Sequence, residues 1–281
     1  MRLREALNSA VQQLTAAGVG SSHRNAELLL RFALSCDRAH LYAHPERELT
    51  EGETERYRAA IVERARGVPA QYIIGHQEFW GLDLIVSPAV LIPRPETEHV
   101  IEAVLELARD MSRLRIVDVG TGSGCIAIAL ATELPNATLH AVDVSPDALE
   151  VARANAARHQ LSDRILFRQG DLLEGLLKQG ERFDFVVSNP PYVGESEEDQ
   201  VQLEVCKFEP RIAVFAGPTG LEVIKRLIEE GRRCLSPQGW LVMEIGHGQE
   251  AALKDLLRDW RSVRFTPDLQ GIPRVVAAQR P

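Results

Sequence analysis

The chain has 281 residues and is 45% hydrophobic, which leaves room for one large domain or for a medium domain and a small one around a sizeable buried core. Its net charge of −8 is uneven: residues 1–66 carry ten Arg against nine Asp or Glu, whereas the remainder carries 22 basic and 31 acidic residues, and an acidic body repels a phosphate backbone, so duplex DNA is a poor candidate for the main partner and no direct DNA binding is expected. The longest apolar run, Cys125–Ala131, falls far short of the ~20 residues of a membrane span, and the N-terminus lacks the apolar core of a secretory signal, so a cytoplasmic protein with no membrane partner is expected.

Residues 1–66 read as helices only. Leu3, Leu7, Val11 and Leu14 recur on one face, Gly18 stops that run, and Ala26, Leu29, Leu30, Ala33 and Leu34 mark a second amphipathic helix. Thr50 with Glu53 three residues on is a capping-box signature, giving a small bundle of three or four helices. His40 and His44 share a helical face without a third ligand at suitable spacing, and Cys36, Cys125, Cys206 and Cys234 form no CxxC pattern, so no metal site is expected. Residues 67–97 alternate apolar and polar residues between Gly and Pro, which reads as a linker leading into a β-hairpin.

From residue 98 to 281 strands and helices alternate. Strands are expected at Arg115–Val119, Thr138–Val142, Arg164–Gln169, Phe183–Ser188 and Trp240–Ile245, with a final pair near Val263 and Val275. Helices are expected at Gly124–Glu133, Pro146–His159, Leu221–Cys234 and Gln249–Asp259. This order predicts an α/β domain with a mainly parallel, doubly wound sheet.

Gly120, Gly122 and Gly124 lie between the first strand and the following helix, where glycine lets the backbone turn sharply and approach a ligand near a helix N-terminus. Structural turns and the GxGxxG loops of nicotinamide enzymes use glycine in similar ways. Asp143 ends the next strand, where an acid can accept from both hydroxyls of a ribose lying across the first strand; Ser145 is placed to cap the following helix in its stead. After the third strand, Asp171 is placed to accept from an adenine amino group and Leu172 to cover a ring face.

The segment Ser188–Tyr192, SNPPY, leaves the fourth strand at the same sheet edge. Pro190 and Pro191 have fixed φ and no N–H, so the carbonyls of Asn189 and Pro190 stay free of turn hydrogen bonds and, with the Asn189 side-chain oxygen, form a rigid set of acceptors for a planar –NH2 group. Holding a delocalised, weakly nucleophilic nitrogen near attack distance of an electrophile removes several kcal/mol of barrier, ~7–11 at the limit. Carbonyl dipoles stabilise positive charge growing on that nitrogen, and Tyr192 is placed to stack on the acceptor group. A Pro-Pro turn with a capping Asn is the plainer reading of the same residues. The acids Glu195, Glu197, Glu198 and Asp199 that follow read as a solvated loop.

DVGTGSG, VDVS and SNPPY together resemble class I AdoMet-dependent methyltransferases of the amino-group type, and PAQYIIGHQEFWGLDLIVSPAVLIPRPETE, FEPRIAVFAGPTGL and DLQGIPRVVAAQR resemble the PrmC/HemK family. The resemblance runs from the helical front through Arg280. It implies methyl transfer from S-adenosyl-L-methionine to the side-chain amide of the glutamine in the GGQ loop of class-one peptide chain release factors. It implies that Gly120, Thr121, Gly122, Ser123, Gly124, Asp143, Asp171, Leu172 and Asn189 hold AdoMet, and that Asn189, Pro190, Pro191 and Tyr192 hold the glutamine, with Asn189, Pro190 and Tyr192 catalytic. The family commonly carries an aromatic residue where Leu172 stands. Arg94, Glu96 and Thr97 fall in the family's linker segment, and an Arg94–Glu96 ion pair is as expected as a substrate contact. The helical front is the expected docking surface for the protein substrate, and a monomer is expected. Other readings are methylation of a ribosomal-protein glutamine or of a nucleic-acid amino group, and an AdoMet-sensing module without transfer.

Overall fold

Thr50 closes the start of helix Glu51–Ala65 as its spacing suggests: its hydroxyl accepts from the Glu53 N–H at 3.2 Å, and its own N–H donates to the Glu53 carboxylate at 2.9 Å. The computed structural model describes all 281 residues, Met1–Pro281, and the chain divides into two compact units, Met1–His76 and Gln77–Pro281. In the first, helices Leu3–Ala16, Ser22–Leu34 and Glu51–Ala65 bury Leu3, Leu14, Leu29, Leu30, Tyr57 and Ile61 against one another. The Tyr57 hydroxyl donates to the Ala26 carbonyl, and the buried Arg64 donates to Asn25 and to the Val68 carbonyl. The unit continues past the change of composition at Gly67, because helix Ala70–Ile74 packs Ala70, Ile73 and Ile74 into the same core. A surface hollow of about 410 Å3 in this unit borders His40, His44 and Arg47.

A hairpin of β1 (His76–Phe79) and β2 (Leu82–Ile85), all but its first residue in the second unit, is turned at Trp80 and Gly81, both with positive φ as such tight turns require. Phe79 and Leu84 face the core, and the wholly buried Asn155 of helix Pro146–Arg158 clamps the hairpin. Its Oδ1 accepts from Ile85 N–H at 2.7 Å, while Nδ2 donates to the Ile85 and Ser123 carbonyls, each at 2.9 Å. The hairpin part of what reads as a linker is thus sewn onto the sheet domain.

The main sheet contains β3 (Arg115–Val119), β4 (Thr138–Asp143), β5 (Ile165–Gln169), β6 (Phe183–Ser188), β7 (Leu235–Glu244), β8 (Arg261–Pro267) and β9 (Pro273–Gln279), in the order β5-β4-β3-β6-β7-β9-β8. The first five strands in that order are parallel, and β9 and β8 join antiparallel. Alternate residues feed two cores: Phe185, Val187, Trp240 and Val242 enter one, and Val186, Leu241 and Met243 the other, which Phe183 also enters across a register shift between Phe183 and Phe185. Helices Glu98–Leu107 and Cys125–Glu133 cover the first face; Ile224, Leu227 and Ile228 of helix Glu222–Cys234 cover the second. No helix is long and apolar enough to cross a membrane.

The strand order reverses between β3 and β6, since the chain builds outward from β3 through β4 to β5 and then crosses to β6 and β7. At such a switch point the loops at the carboxyl ends diverge and leave a crevice. Val119 and Ser188 are register partners there, and the Ser188 hydroxyl donates to the Val119 carbonyl at 2.7 Å. That bond fixes the Gly-rich loop and the NPPY segment side by side.

Candidate active site

The loop after β3 is held from below. Gly120 and Thr121 N–H both donate to the Val142 carbonyl at the end of β4, at 2.8 and 3.0 Å. Gly120 and Gly122 have φ of 69° and 54°, and a Cβ built on either meets no atom within 4 Å, so backbone conformation and an open face, not crowding, select glycine here. Gly124 is different, because a Cβ there would lie 3.1 Å from Ile128 and 3.2 Å from Ala152. It lets two helices close.

Beneath the loop sits Asp118, wholly buried on a strand that is otherwise apolar at its centre. Its Oδ2 accepts from the Thr121 hydroxyl at 2.5 Å and from Ala127 N–H at 3.2 Å, whereas Oδ1 has no partner; nor has the buried Ser123 hydroxyl. Burial pushes the Asp118 carboxyl up to about 7, against the pull of those two hydrogen bonds. Asp143 grips the loop directly, accepting from Gly122 N–H on Oδ2 and from Ser145 N–H on Oδ1, each at 2.9 Å. Ser145 does the helix capping, accepting from Ala148 N–H at 3.2 Å. Each Asp143 oxygen keeps a second lone pair for a further donor.

Asp171 stands apart from this group in its bonding. Its Oδ2 is 2.8 Å from the Arg226 guanidinium, on helix Glu222–Cys234, and both side chains are about half exposed. Leu172 adopts φ of 49° and packs against the second core. Orientation of Asp171 toward an adenine therefore competes with an ion pair that the spacing of QGDLLEG does not reveal.

Beyond β6, the carbonyls of Asn189 and Pro190 take part in no backbone hydrogen bond, as two successive residues without N–H favour. The Asn189 side chain has one fixed end: Nδ2 donates to the Thr97 hydroxyl at 3.0 Å. Thr97 in turn donates to Glu244 Oε2 at 2.5 Å, and the Tyr192 hydroxyl donates to Glu244 Oε1 at 3.2 Å. Thr97 and Glu244 are 1% and 2% exposed, and burial pushes the Glu244 carboxyl up to about 7. Tyr192 is expected from the sequence to stack on the acceptor group; its ring does border the cavity, but its hydroxyl is committed to Glu244 and its carbonyl accepts from Gln249 at 2.9 Å. Burial and the adjacent Glu244 push the phenol far above its ordinary value, so it stays protonated.

A cavity of about 330 Å3 is lined by Asn189 and Tyr192 together with Leu91, Arg94, Val201, Val205 and Val214. Arg94 does not pair with Glu96. Its guanidinium lies 2.5 Å from Glu209, a carboxylate only 1% exposed that also accepts from Ile92 N–H at 3.1 Å. The FEPR segment thereby ties the linker to the wall of the cavity. The exposed Glu198 pairs with Arg211 on the outer side of that wall, which explains part of the acidic run. Sequence reading misses Glu209 and Glu244. The available signal for Glu244 is a lone acid at the end of the apolar run WLVME, where a buried strand must justify a charge.

The arrangement is an open, donor- and acceptor-lined loop beside a rigid acceptor set, at the crevice of a doubly wound sheet. Residues 5–75 match the family model described as PrmC N-terminal domain, and residues 110–264 match that described as Methyltransferase domain. A release factor glutamine methyltransferase from Koribacter versatilis is 54% identical over 281 residues, covering 100% of this chain and 99% of the relative. One from Moorella thermoacetica is 44% identical over 283 residues, again covering 100% and 99%. Among solved structures, the N-terminal domain of human METTL16 in complex with SAH superposes with a TM-score of 0.55 at 20% identity, covering 95% of this chain and 93% of that one, a likeness of fold. Full-length identity at this level, over both the helical front and the sheet domain, places the chain in the release factor glutamine methyltransferase family.

Proposed function

We propose that the protein transfers a methyl group from S-adenosyl-L-methionine to the side-chain amide nitrogen of the GGQ glutamine in class-one peptide chain release factors. The observation that carries this reading is the Asn189 amide, whose Nδ2 is taken up by Thr97 so that Oδ1 is left for a ligand in the cavity that Asn189 lines. The names of the relatives support the substrate.

The loop suits AdoMet. The open face over Gly120 and Gly122 admits a ligand against the backbone, beside the unpartnered Asp118 Oδ1 and Ser123 Oγ and the Asp143 carboxylate that grips the loop. A cationic ligand matches that field and lowers the cost of ionising Asp118. Gly120, Thr121, Gly122, Ser123, Gly124 and Asp143 would hold it, with Leu172 as an apolar neighbour and Asp171 available on Oδ1. When bound, AdoMet supplies an electrophilic methyl group on a sulfonium.

The chain's own residues then act on the glutamine. Asn189 Oδ1 and the Asn189 and Pro190 carbonyls accept both N–H bonds of the amide, which fixes its plane and aims the nitrogen lone pair; Pro191 keeps the turn rigid and Tyr192 bounds the ring of acceptors. Methyl transfer would form the N–C bond as the C–S bond breaks with its electron pair left on the sulfur; the same three oxygens would stabilise the positive charge growing on the amide nitrogen, and its surplus N–H proton would pass to water. Residues 1–66 serve as the docking surface for the substrate protein, in a monomeric cytoplasmic enzyme.

The test is incubation with labelled AdoMet and a purified class-one release factor. Label is expected on the GGQ glutamine and is expected to vanish when that glutamine is replaced; label that persists there, or that appears only in ribosomal protein or nucleic acid, refutes the substrate. Asn189→Ala should largely keep AdoMet affinity and lose transfer by ~100-fold or more.

A further inference from the structure

Thr97 ends the short turn Pro95–Thr97, Asn189 follows β6, and Glu244 ends β7. The sheet brings them into one line: Asn189 Nδ2 to Thr97 Oγ at 3.0 Å, Thr97 Oγ to Glu244 Oε2 at 2.5 Å, with the Tyr192 hydroxyl on Glu244 Oε1 at 3.2 Å. Proton counting along this line has a definite sign. An ionised carboxylate only accepts, so the single hydroxyl proton of Thr97 goes to Glu244, and toward Asn189 the Thr97 oxygen can only accept. Asn189 must therefore turn its –NH2 to Thr97 and its Oδ1 the other way. With Glu244 protonated on Oε2 that constraint is lifted: Glu244 donates, Thr97 is free to turn its proton to Asn189, and the amide is free to rotate so that its –NH2 meets the ligand.

From this we infer that Thr97 and Glu244 are positioning residues which set the polarity of the Asn189 amide, so that an acceptor is held facing the –NH2 of the substrate only while Glu244 is ionised. The inference rests on the reading of Asn189 as the acceptor for the glutamine amide. Tyr192 keeps Glu244 from rotating by occupying its other oxygen. The groups that bear on Glu244 are Glu96 beside Thr97, Cys125 at the head of its helix, Tyr192 after β6 and Arg274 on β9. Burial outweighs them and pushes the carboxyl up to about 7, with Glu96 adding to the rise and Thr97, Tyr192 and Arg274 opposing it. Loss of ionisation in acid thus unlocks the acceptor from its orientation without altering the loop that binds AdoMet.

The experiment measures kcat against pH from about 5.5 to 9, with AdoMet affinity and thermal melting for each variant. Thr97→Val is expected to lower kcat between ~10- and ~100-fold with AdoMet affinity unchanged, and Thr97→Ser to restore it. The unmodified enzyme should show an acid limb near the Glu244 value, and Glu244→Gln should lack that limb whatever its plateau. Thr97→Val at full kcat, a serine that fails to restore it, or a Glu244→Gln variant that keeps the original acid limb overturns the assignment. Asn189→Ala measured alongside separates the two levels: if it is inactive while Thr97→Val is normal, the relay alone falls, and if it is active, the acceptor reading beneath it falls too.

Discussion

Replacing Asp118 by Asn should change how the stability of the sheet domain depends on pH, and the size of the effect follows from burial. In the unfolded chain this carboxyl titrates at its ordinary value of 3.8; in the folded state burial raises it to about 7. Because the folded-state value is the higher one, the stabilising contribution is complete below the unfolded value and is lost as pH rises toward and through 7. Between about pH 5.5 and about pH 8 the unfolded chain has already released the proton while the native state is only starting to, which removes ~2 kcal/mol from the unfolding free energy. The buried His140, pushed down to about 4 mainly by desolvation, has the opposite sign, since its unfolded form takes up a proton below 6.5 and stability from that source rises with pH. Comparing the variant with the original protein cancels His140 and Glu244 and leaves Asp118. Asparagine can keep the two bonds on Oδ2 and places its –NH2 where Oδ1 has no partner. Urea unfolding followed by tryptophan fluorescence reports on the sheet domain alone, since Trp80, Trp240 and Trp260 all lie in Gln77–Pro281. Measured without AdoMet, the gap between the two proteins should shift by ~2 kcal/mol in favour of Asp118→Asn across that range; parallel curves would show that Asp118 is ionised throughout and that the burial argument is wrong.

Asp143→Ala removes a charged acceptor from two backbone N–H groups, interactions of ~1.5–3 kcal/mol each, and should weaken AdoMet binding at least ~10-fold by calorimetry; unchanged affinity would detach Asp143 from the site. Gly220→Ala places a Cβ 2.4 Å from the Tyr192 carbonyl at a φ of 76°, so melting temperature and transfer rate should fall together, with at least ~1–2 kcal/mol lost from backbone strain alone. A normal melt with normal turnover would count against the rigidity assigned to the segment after Asn189. Asn155→Ala leaves the Ile85 N–H and the Ile85 and Ser123 carbonyls without their partner and should cost ~3 kcal/mol or more in urea unfolding; a loss under ~1 kcal/mol would mean that water replaces the clamp.

Strands buried on both faces with abrupt stops were the most legible elements. Arg115–Val119 and Phe183–Ser188 are read to the residue because Gly120 and Asn189 end mainly apolar, β-branched and aromatic segments. The strand read as Trp240–Ile245 begins earlier, at Leu235, since Ser236, Pro237, Gln238 and Gly239 look like a turn, and the register with β6 slips there between Phe183 and Phe185. Helices Glu174–Lys178, Leu203–Phe208 and Arg211–Val214 are too short to show a helical period. The same logic separates the site into a legible and a hidden part. The glycine loop and NPPY are contiguous and carry their chemistry locally. Thr97, Asn189 and Glu244 are separated by 92 and 147 positions along their two bonds, and only the order of the strands brings them together. Asp171 shows the converse: its position after β5 is legible, but its partner Arg226 lies 55 residues away, on a helix whose period is legible while the partner of each exposed charge is not.

One buried amide links parts of the molecule that sequence order keeps apart. Asn155 holds a hairpin strand with one carbonyl bond and the loop at Ser123 with another, from the same nitrogen. The two segments share a single fastening, so a fluctuation that frees one loosens the grip on the other. The Ile85 amide hydrogen, bound to the other end of that side chain, then becomes a natural reporter: its exchange with deuterated water should slow when a ligand settles the loop after β3, although Ile85 itself touches nothing in the loop's hydrogen-bond network except through Asn155.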